Sequence, residues 1–168
     1  MTVTIHEASE VTDELVQACT MLIPQLSPSA PPITAAYLEQ VVGCPTNTLF
    51  VARLDGCIVG TLTLVVFPIP TGNRAWIEDV VVDAAAQGRR VGAALTRAAL
   101  ARADELGART VDLTSRDSRV AANRLYLKLG FVPRESNLLR FSMVETPRGR
   151  LARLPGSGGP GDTSDRGA

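Results

Sequence analysis

Between Trp76 and Leu100 the sequence WIEDVVVDAAAQGRRVGAALTRAAL sets two adjacent carboxylates, Glu78 and Asp79, in an apolar run. A turn with two glycines and two arginines follows. Ile77 and Val80 to Val82 make a β-branched stretch too short for a buried helix, so the run reads as a largely buried strand. The turn from Gln87 to Ala93 then opens an alanine-rich helix on which Val91, Ala94, Leu95 and Ala98 share a face. A helix N-terminus presents unpaired backbone N–H groups at the positive end of its dipole, which suits a pyrophosphate. Within the turn, Gly88 and Gly92 permit close backbone approach, while Arg89 and Arg90 offer charge-assisted contacts to phosphate oxygens. The spacing is neither G-x-G-x-x-G nor a triphosphate loop, so a phosphate-bearing ligand stands against the plain alternative of an ordinary α/β turn.

A second stretch, SRVAANRLYLKLGF from Ser118 to Phe131, carries Ala122, Leu125, Tyr126 and Leu129 on one helical face. Gly130 follows where a helix stops in the left-handed conformation. By itself Tyr126 reads equally as a core aromatic with a satisfied hydroxyl. Glu78 and Asp79 point to opposite faces of a regular strand unless a bulge intervenes. Glu78 is favoured as the carboxylate facing a substrate, because a regular strand puts it with Trp76, Val80 and Val82. The alternative is a structural carboxylate satisfied by neighbouring N–H groups.

Taken together, the two stretches resemble the GNAT superfamily of acyl-CoA-dependent N-acyltransferases. The family signature Gln/Arg-x-x-Gly-x-Gly/Ala is matched by Gln87, Gly88, Arg89, Arg90, Val91 and Gly92, with Arg90 in place of the first glycine. An arginine there is expected to take an ordinary negative φ. The second signature, a helix ending in Tyr-x-x-x-Gly-Phe, is matched by Ala122, Tyr126, Gly130 and Phe131. The resemblance runs from about Val3 to Met143.

The resemblance implies an acetyl-CoA-dependent N-acetyltransferase acting on a primary amine of a small molecule or a protein. The amine attacks directly, with no covalent enzyme intermediate. It further implies that backbone groups of Val80, Val81 and Val82 bind the pantetheine amides and thioester oxygen, if this strand splays from its neighbour. Gln87 to Ala93 would hold the pyrophosphate. Tyr126 matches the general acid, since a phenol with a pKa of about 10 is protonated at pH 7 and can donate to a sulfur leaving group. Asn123, one turn earlier, is a candidate cofactor contact or a solvent-facing amide. Two alternatives remain. IEDVVV also looks like the motif strand of glucosamine-6-phosphate N-acetyltransferases, and a non-catalytic acyl-CoA-binding domain would keep the turn with idle acid and base. The acceptor is expected to be set by the loops Ser27 to Pro32 and Pro68 to Arg74.

The elements that must position these residues can be read along the chain. Val3 to Ile5 reads as a first strand, and a helix around Leu15, Ala18, Cys19 and Leu22 carries Asp13 and Glu14 in its first turn. A short helix near Tyr37 to Val42 comes next. Leu49 to Leu54 and Cys57 to Phe67 are strands joined at Asp55-Gly56, a two-residue hairpin signal. After a loop from Pro68 to Arg74 and the two motif stretches, Thr110 to Thr114, Val132 and Leu138 to Met143 supply further strands. The expected fold is a single α/β domain, a mixed, twisted sheet of about six or seven strands flanked by helices, over residues 1–146. Residues 147–168, rich in Gly, Pro, Ser and Asp, read as a flexible tail.

Composition narrows the function classes. The 168 residues are 45% hydrophobic with a formal net charge of zero, which gives no electrostatic footprint for nucleic acid, and no apolar run is long enough to span a membrane. Cys19, Cys44 and Cys57 are odd in number and widely spaced, and read as reduced cytoplasmic thiols. His6 is the only histidine, and no metal-ligand spacing is present, so no metal is expected. The partners expected are acetyl-CoA and an amine acceptor, with a homodimer also compatible.

Overall fold

The computed structural model describes residues 2–141. Strand β1 (Val3–Glu7) is followed by helices α1 (Asp13–Leu26) and α2 (Ala35–Val42) and by strands β2 (Asn47–Leu54), β3 (Cys57–Ile69) and β4 (Gly72–Val82). A single 3-10 turn (Ala84–Ala86), α3 (Val91–Glu105), β5 (Val111–Leu113) and α4 (Val120–Lys128) complete the series. The unit ending at Val132 carries all of these elements, and residues 133–141, in a second unit, carry no helix or strand.

The five strands form one mixed sheet in the order β1-β2-β3-β4-β5. The first three junctions are antiparallel, and β5 lies parallel to β4 after the α3 crossover. Period-two burial divides the side chains. Phe50, Ala52, Leu54, Leu62, Leu64, Ala75 and Ile77 meet Val91, Leu95, Ala99 and Ala103, the four-residue stripe of α3. Leu49 and Val51 point the other way and pack with Leu15, Cys19 and Leu38 of α1 and α2. Thr12 and Thr34 cap those two helices by accepting from the N–H groups of Leu15 and Tyr37 at 3.2 Å each.

The Asp55-Gly56 turn has φ of +50° and +87°, the pair of positive values that a twisted two-residue hairpin requires. Three expectations are corrected. Pro68 to Arg74 is not a loop: the hairpin continues to Ile69↔Gly72, and only Pro70 and Thr71 turn it. Pro68 is tolerated because the β2 ladder ends at Asn47↔Val65, so its missing N–H faces no strand on that side. Leu138 to Phe141 form no strand, and Leu139 is 89% exposed. Apolar pattern alone does not make a strand without a neighbour to pair and pack against. Val132 is likewise outside any strand, so the described sheet has five strands rather than six or seven. Ser142, Met143 and the proposed tail from 147 to 168 lie outside the described residues.

Candidate active site

The centre of the site is an irregularity in β4. Thr61 pairs with Val81 and Thr63 with Glu78, so three steps along β4 oppose two along β3. The extra residue is a β-bulge, and Asp79 within it takes φ +49°. Asp is among the few side chains that tolerate this left-handed region. The bulge flips the alternation: Ile77 before it and Val80 and Val82 after it all pack toward the α3 core. Glu78 therefore does not share a face with Val80 and Val82, as a regular strand would have it. It stands opposite Thr63, and Asp79 reaches the same side of the sheet, where it lines a cavity with Thr61 and Thr63.

That cavity, about 410 Å³, lies between the sheet and the two N-terminal helices. Ile23, Ile33, Leu38 and Leu49 are among its apolar walls, and Asp79 is its one carboxylate among the described residues. Burial pushes the thiol of Cys19, another wall residue, up to about 11, which keeps it an inert neutral group. Sequence reasoning missed this chamber. Its signals were the alternating Thr61 and Thr63 and a carboxylate suited to a bulge. Of the two loops expected to choose the acceptor, Pro31 and Pro32 do line it, whereas Pro68 to Arg74 do not.

On its other edge β4 parts from β5. Their ladder consists of Ala75↔Val111, Trp76↔Asp112 and Ile77↔Leu113. Beyond Ile77 the pairing with β5 stops, so Val80 to Val82 keep β3 on one side and have no strand on the other among the described residues. The pairing thus ends before the residues whose backbone the cofactor expectation needs open. Gly60 lets β3 hug this segment, because a Cβ there would come 2.8 Å from the carbonyl oxygen of Val81.

From β4 the chain enters the turn. Asp83 accepts from Ala85 N–H at 2.8 Å, and Gln25 at the end of α1 accepts from Ala84 N–H at 3.0 Å. Gly88 takes φ +77°, and among the described residues nothing beyond its chain neighbours lies within 4 Å of where a side chain would stand. Arg90, the residue before α3, takes φ +64° rather than the negative value expected of arginine. The turn thus adopts a left-handed residue here without a glycine, at a backbone cost of about 1–2 kcal/mol. The first intrahelical bond runs from Ala94 N–H to Arg90 C=O at 3.0 Å, and Arg90 gives no side-chain cap. The N–H groups of Val91, Gly92 and Ala93 precede that bond, which makes the turn a fit for a pyrophosphate. On its other side Gly92 faces α4, where a Cβ would meet Leu125 Cδ2 at 3.4 Å, an ordinary packing distance.

The last helix delivers Tyr126. Its end is a Schellman motif: Gly130 at φ +97° donates its N–H to Leu127 C=O at 3.1 Å, and Phe131 donates to Tyr126 C=O at 3.0 Å. The reversal sets the Phe131 ring edge-on to Tyr126 with centroids 5.7 Å apart. Tyr126 is 8% exposed, and burial raises its phenol above the ordinary value, an effect that Arg119 partly opposes. The phenol is therefore protonated and neutral at pH 7. Asn123 donates its amide to Arg116 C=O at 3.0 Å and so secures the loop leading into α4.

Comparison with known proteins agrees with this architecture. The model of the acetyltransferase (GNAT) family matches residues 14–131. A protein of Agrobacterium tumefaciens str. C58 described by resemblance as an acetyltransferase is 27% identical, with a TM-score of 0.73, covering 83% of this chain and 99% of that one. A transcriptional regulator from Bacillus halodurans C-125 is 28% identical with a TM-score of 0.71, over 84% of this chain and 100% of that one. Glucosamine-6-phosphate N-acetyltransferase from Arabidopsis thaliana shares the fold at 18% identity, with a TM-score of 0.72 over 84% of this chain and 99% of that one. No curated protein sequence matches significantly.

Proposed function

Because the chain belongs to the GNAT acetyltransferase family, we propose that it moves an acetyl group from acetyl-CoA directly onto a primary amine, with Glu78 as base and Tyr126 as acid. The observation that carries this reading is the end of the β4–β5 ladder at Ile77↔Leu113, immediately beside the Asp79 bulge. It leaves a strand edge leading from the carboxylates to the turn that opens α3. Acetyl-CoA supplies the activated acyl group when bound.

Residues of this chain do the rest. The free edge of Val80 to Val82 offers backbone N–H groups for the pantetheine arm and for the thioester oxygen, on which negative charge grows as the amine adds. Gln87 to Ala93 supply backbone donors, and the guanidinium groups of Arg89 and Arg90 supply charge, for the pyrophosphate. Asn123 adds to the site by fixing the Arg116 loop. As the N–C bond forms and the C–S bond breaks, Glu78 takes the proton lost by the amine and Tyr126 gives its proton to the departing thiolate. The bulge supports the first assignment, since it brings Glu78 and Asp79 to one side of the sheet. A thiol-release screen with acetyl-CoA against amines, amino sugars, polyamines and peptides tests the reading. Acceptor-dependent CoA release supports it, and tight CoA binding without any acceptor would favour a binding domain.

A further inference from the structure

We infer that the acceptor is a small primary amine carried on an apolar, uncharged body, seated in the cavity between the sheet and the two N-terminal helices with its ammonium group against Asp79. The inference rests on the acetyltransferase reading and specifies its second substrate.

Size gives the first constraint. At about 410 Å³ the chamber is at the low end of the roughly 300–1,000 Å³ usual for small-molecule sites. Chemistry gives the second. Ile23, Leu38, Val41 and Leu49 provide side chains that reward burial of hydrocarbon. The polar groups are hydroxyls, among them those of Thr61 and Thr63, and one carboxylate. No lysine, arginine or histidine among the described residues lines it.

These facts discriminate among amine classes. A sugar phosphate or an amino acid would bring an anion into a chamber whose one charged wall residue among those described is a carboxylate, which repels it. A polyamine would bring several cations to one carboxylate. A peptide would bury backbone N–H and C=O groups with few partners to receive them. An alkyl or aryl amine leaves nothing unmatched: its single cation meets Asp79, and its body meets the apolar wall. Asp79 also sits where β4 parts from β5, the place where the amine, once the bound ammonium has released one proton to solvent, meets an acyl group held along Val80 to Val82.

The test is calorimetric titration of the full-length protein, saturated with CoA, with 2-phenylethylamine, 2-phenylethanol, glucosamine 6-phosphate and spermidine, alongside thiol release with acetyl-CoA and the three amines. Phenylethylamine should bind and be acetylated with the highest kcat/KM, and phenylethanol should bind about ten- to a hundred-fold more weakly for want of the charge. Asp79→Asn, which keeps a residue suited to positive φ, should cost phenylethylamine a similar factor and leave CoA affinity unchanged. Tighter binding or faster acetylation of glucosamine 6-phosphate or spermidine would overturn the inference while sparing the acetyltransferase reading. So would phenylethylamine affinity that ignores Asp79→Asn. If no amine releases thiol, the acetyltransferase reading fails, and the titrations still decide what the cavity binds.

Discussion

Phe131 holds Tyr126 twice, by a 3.0 Å hydrogen bond from its backbone N–H to the tyrosine carbonyl and by an edge-on ring contact at 5.7 Å. Both depend on Gly130, whose φ of +97° folds the chain back at the end of α4. The Tyr-x-x-x-Gly-Phe spacing is thus a positioning device for one phenol, since a reversal of this kind requires a residue without a Cβ penalty.

Gly130→Ala should therefore cost about 1–2 kcal/mol from left-handed strain and reduce kcat more than CoA affinity. Among the described residues no atom beyond its chain neighbours lies within 4 Å of the position of a new Cβ, so a steric clash does not confuse the result. Denaturant unfolding combined with steady-state kinetics reads both effects. A variant as stable and active as the parent would remove the reversal from the account.

Arg90 poses a sharper trade-off. Replacing it with glycine relieves left-handed strain, offset in part by the greater freedom of glycine in the unfolded chain. Stability should be unchanged or slightly raised. CoA affinity should fall several-fold and depend less on salt, because a guanidinium contact to phosphate is lost. Arg90→Glu should weaken binding further. Equal affinity in all three proteins would place the pyrophosphate away from this turn.

The carboxylate beside the bulge and the one within it should separate kinetically. Glu78→Gln is expected to lower kcat by roughly 10²- to 10⁴-fold, the usual value of a general base, with little change in acceptor KM. Asp79→Asn is expected to act mainly on acceptor KM. The opposite pattern would exchange their roles.

Burial raises the thiol of Cys19 from 9.0 to about 11 and raises the phenol of Tyr126 as well. In each case the folded chain holds its proton more tightly than the unfolded chain does. Their contribution to stability is complete below the ordinary pKa and is lost as pH rises through the folded value. Urea midpoints should accordingly be flat in this respect up to about pH 9 and fall from there toward pH 11. Cys19→Ala should lower the plateau by leaving a cavity and make the alkaline decline shallower. An unaltered slope would show that the thiol is not protected.

Much of this was legible before the structure because local chemistry and tertiary context agreed. The β-branched run before Gln87 and the Asp55-Gly56 turn each had one reasonable outcome, whereas the expected α3 face kept Val91 and Leu95 in the core but gave Ala99 and Ala103 the places expected for Ala94 and Ala98. Where the reading failed, a neighbouring element decided. Pro68 continues a strand because β2 has already ended, and Leu138 to Phe141 do not form one despite suitable residues. Arg90 adopts a glycine-like φ that no propensity for arginine suggests. The cavity draws on α1, the loop before α2, α2 itself and three strands, so no single stretch of sequence announces it. The bulge at Asp79 depends on register between β3 and β4, which alternation within β4 alone does not reveal.

The most direct test of direct acetyl transfer with Tyr126 as acid is the turnover of Tyr126→Phe at saturating acetyl-CoA, with an amine that the wild type acetylates. The substitution keeps the ring, its packing on Phe131 and the helix end, and removes one proton. CoA affinity should persist while kcat falls by roughly ten- to ten-thousand-fold, whereas a merely structural hydroxyl would cost only about 1 kcal/mol of stability. Wild-type turnover in the phenylalanine variant would contradict the account and assign protonation of the leaving thiolate to water or another group.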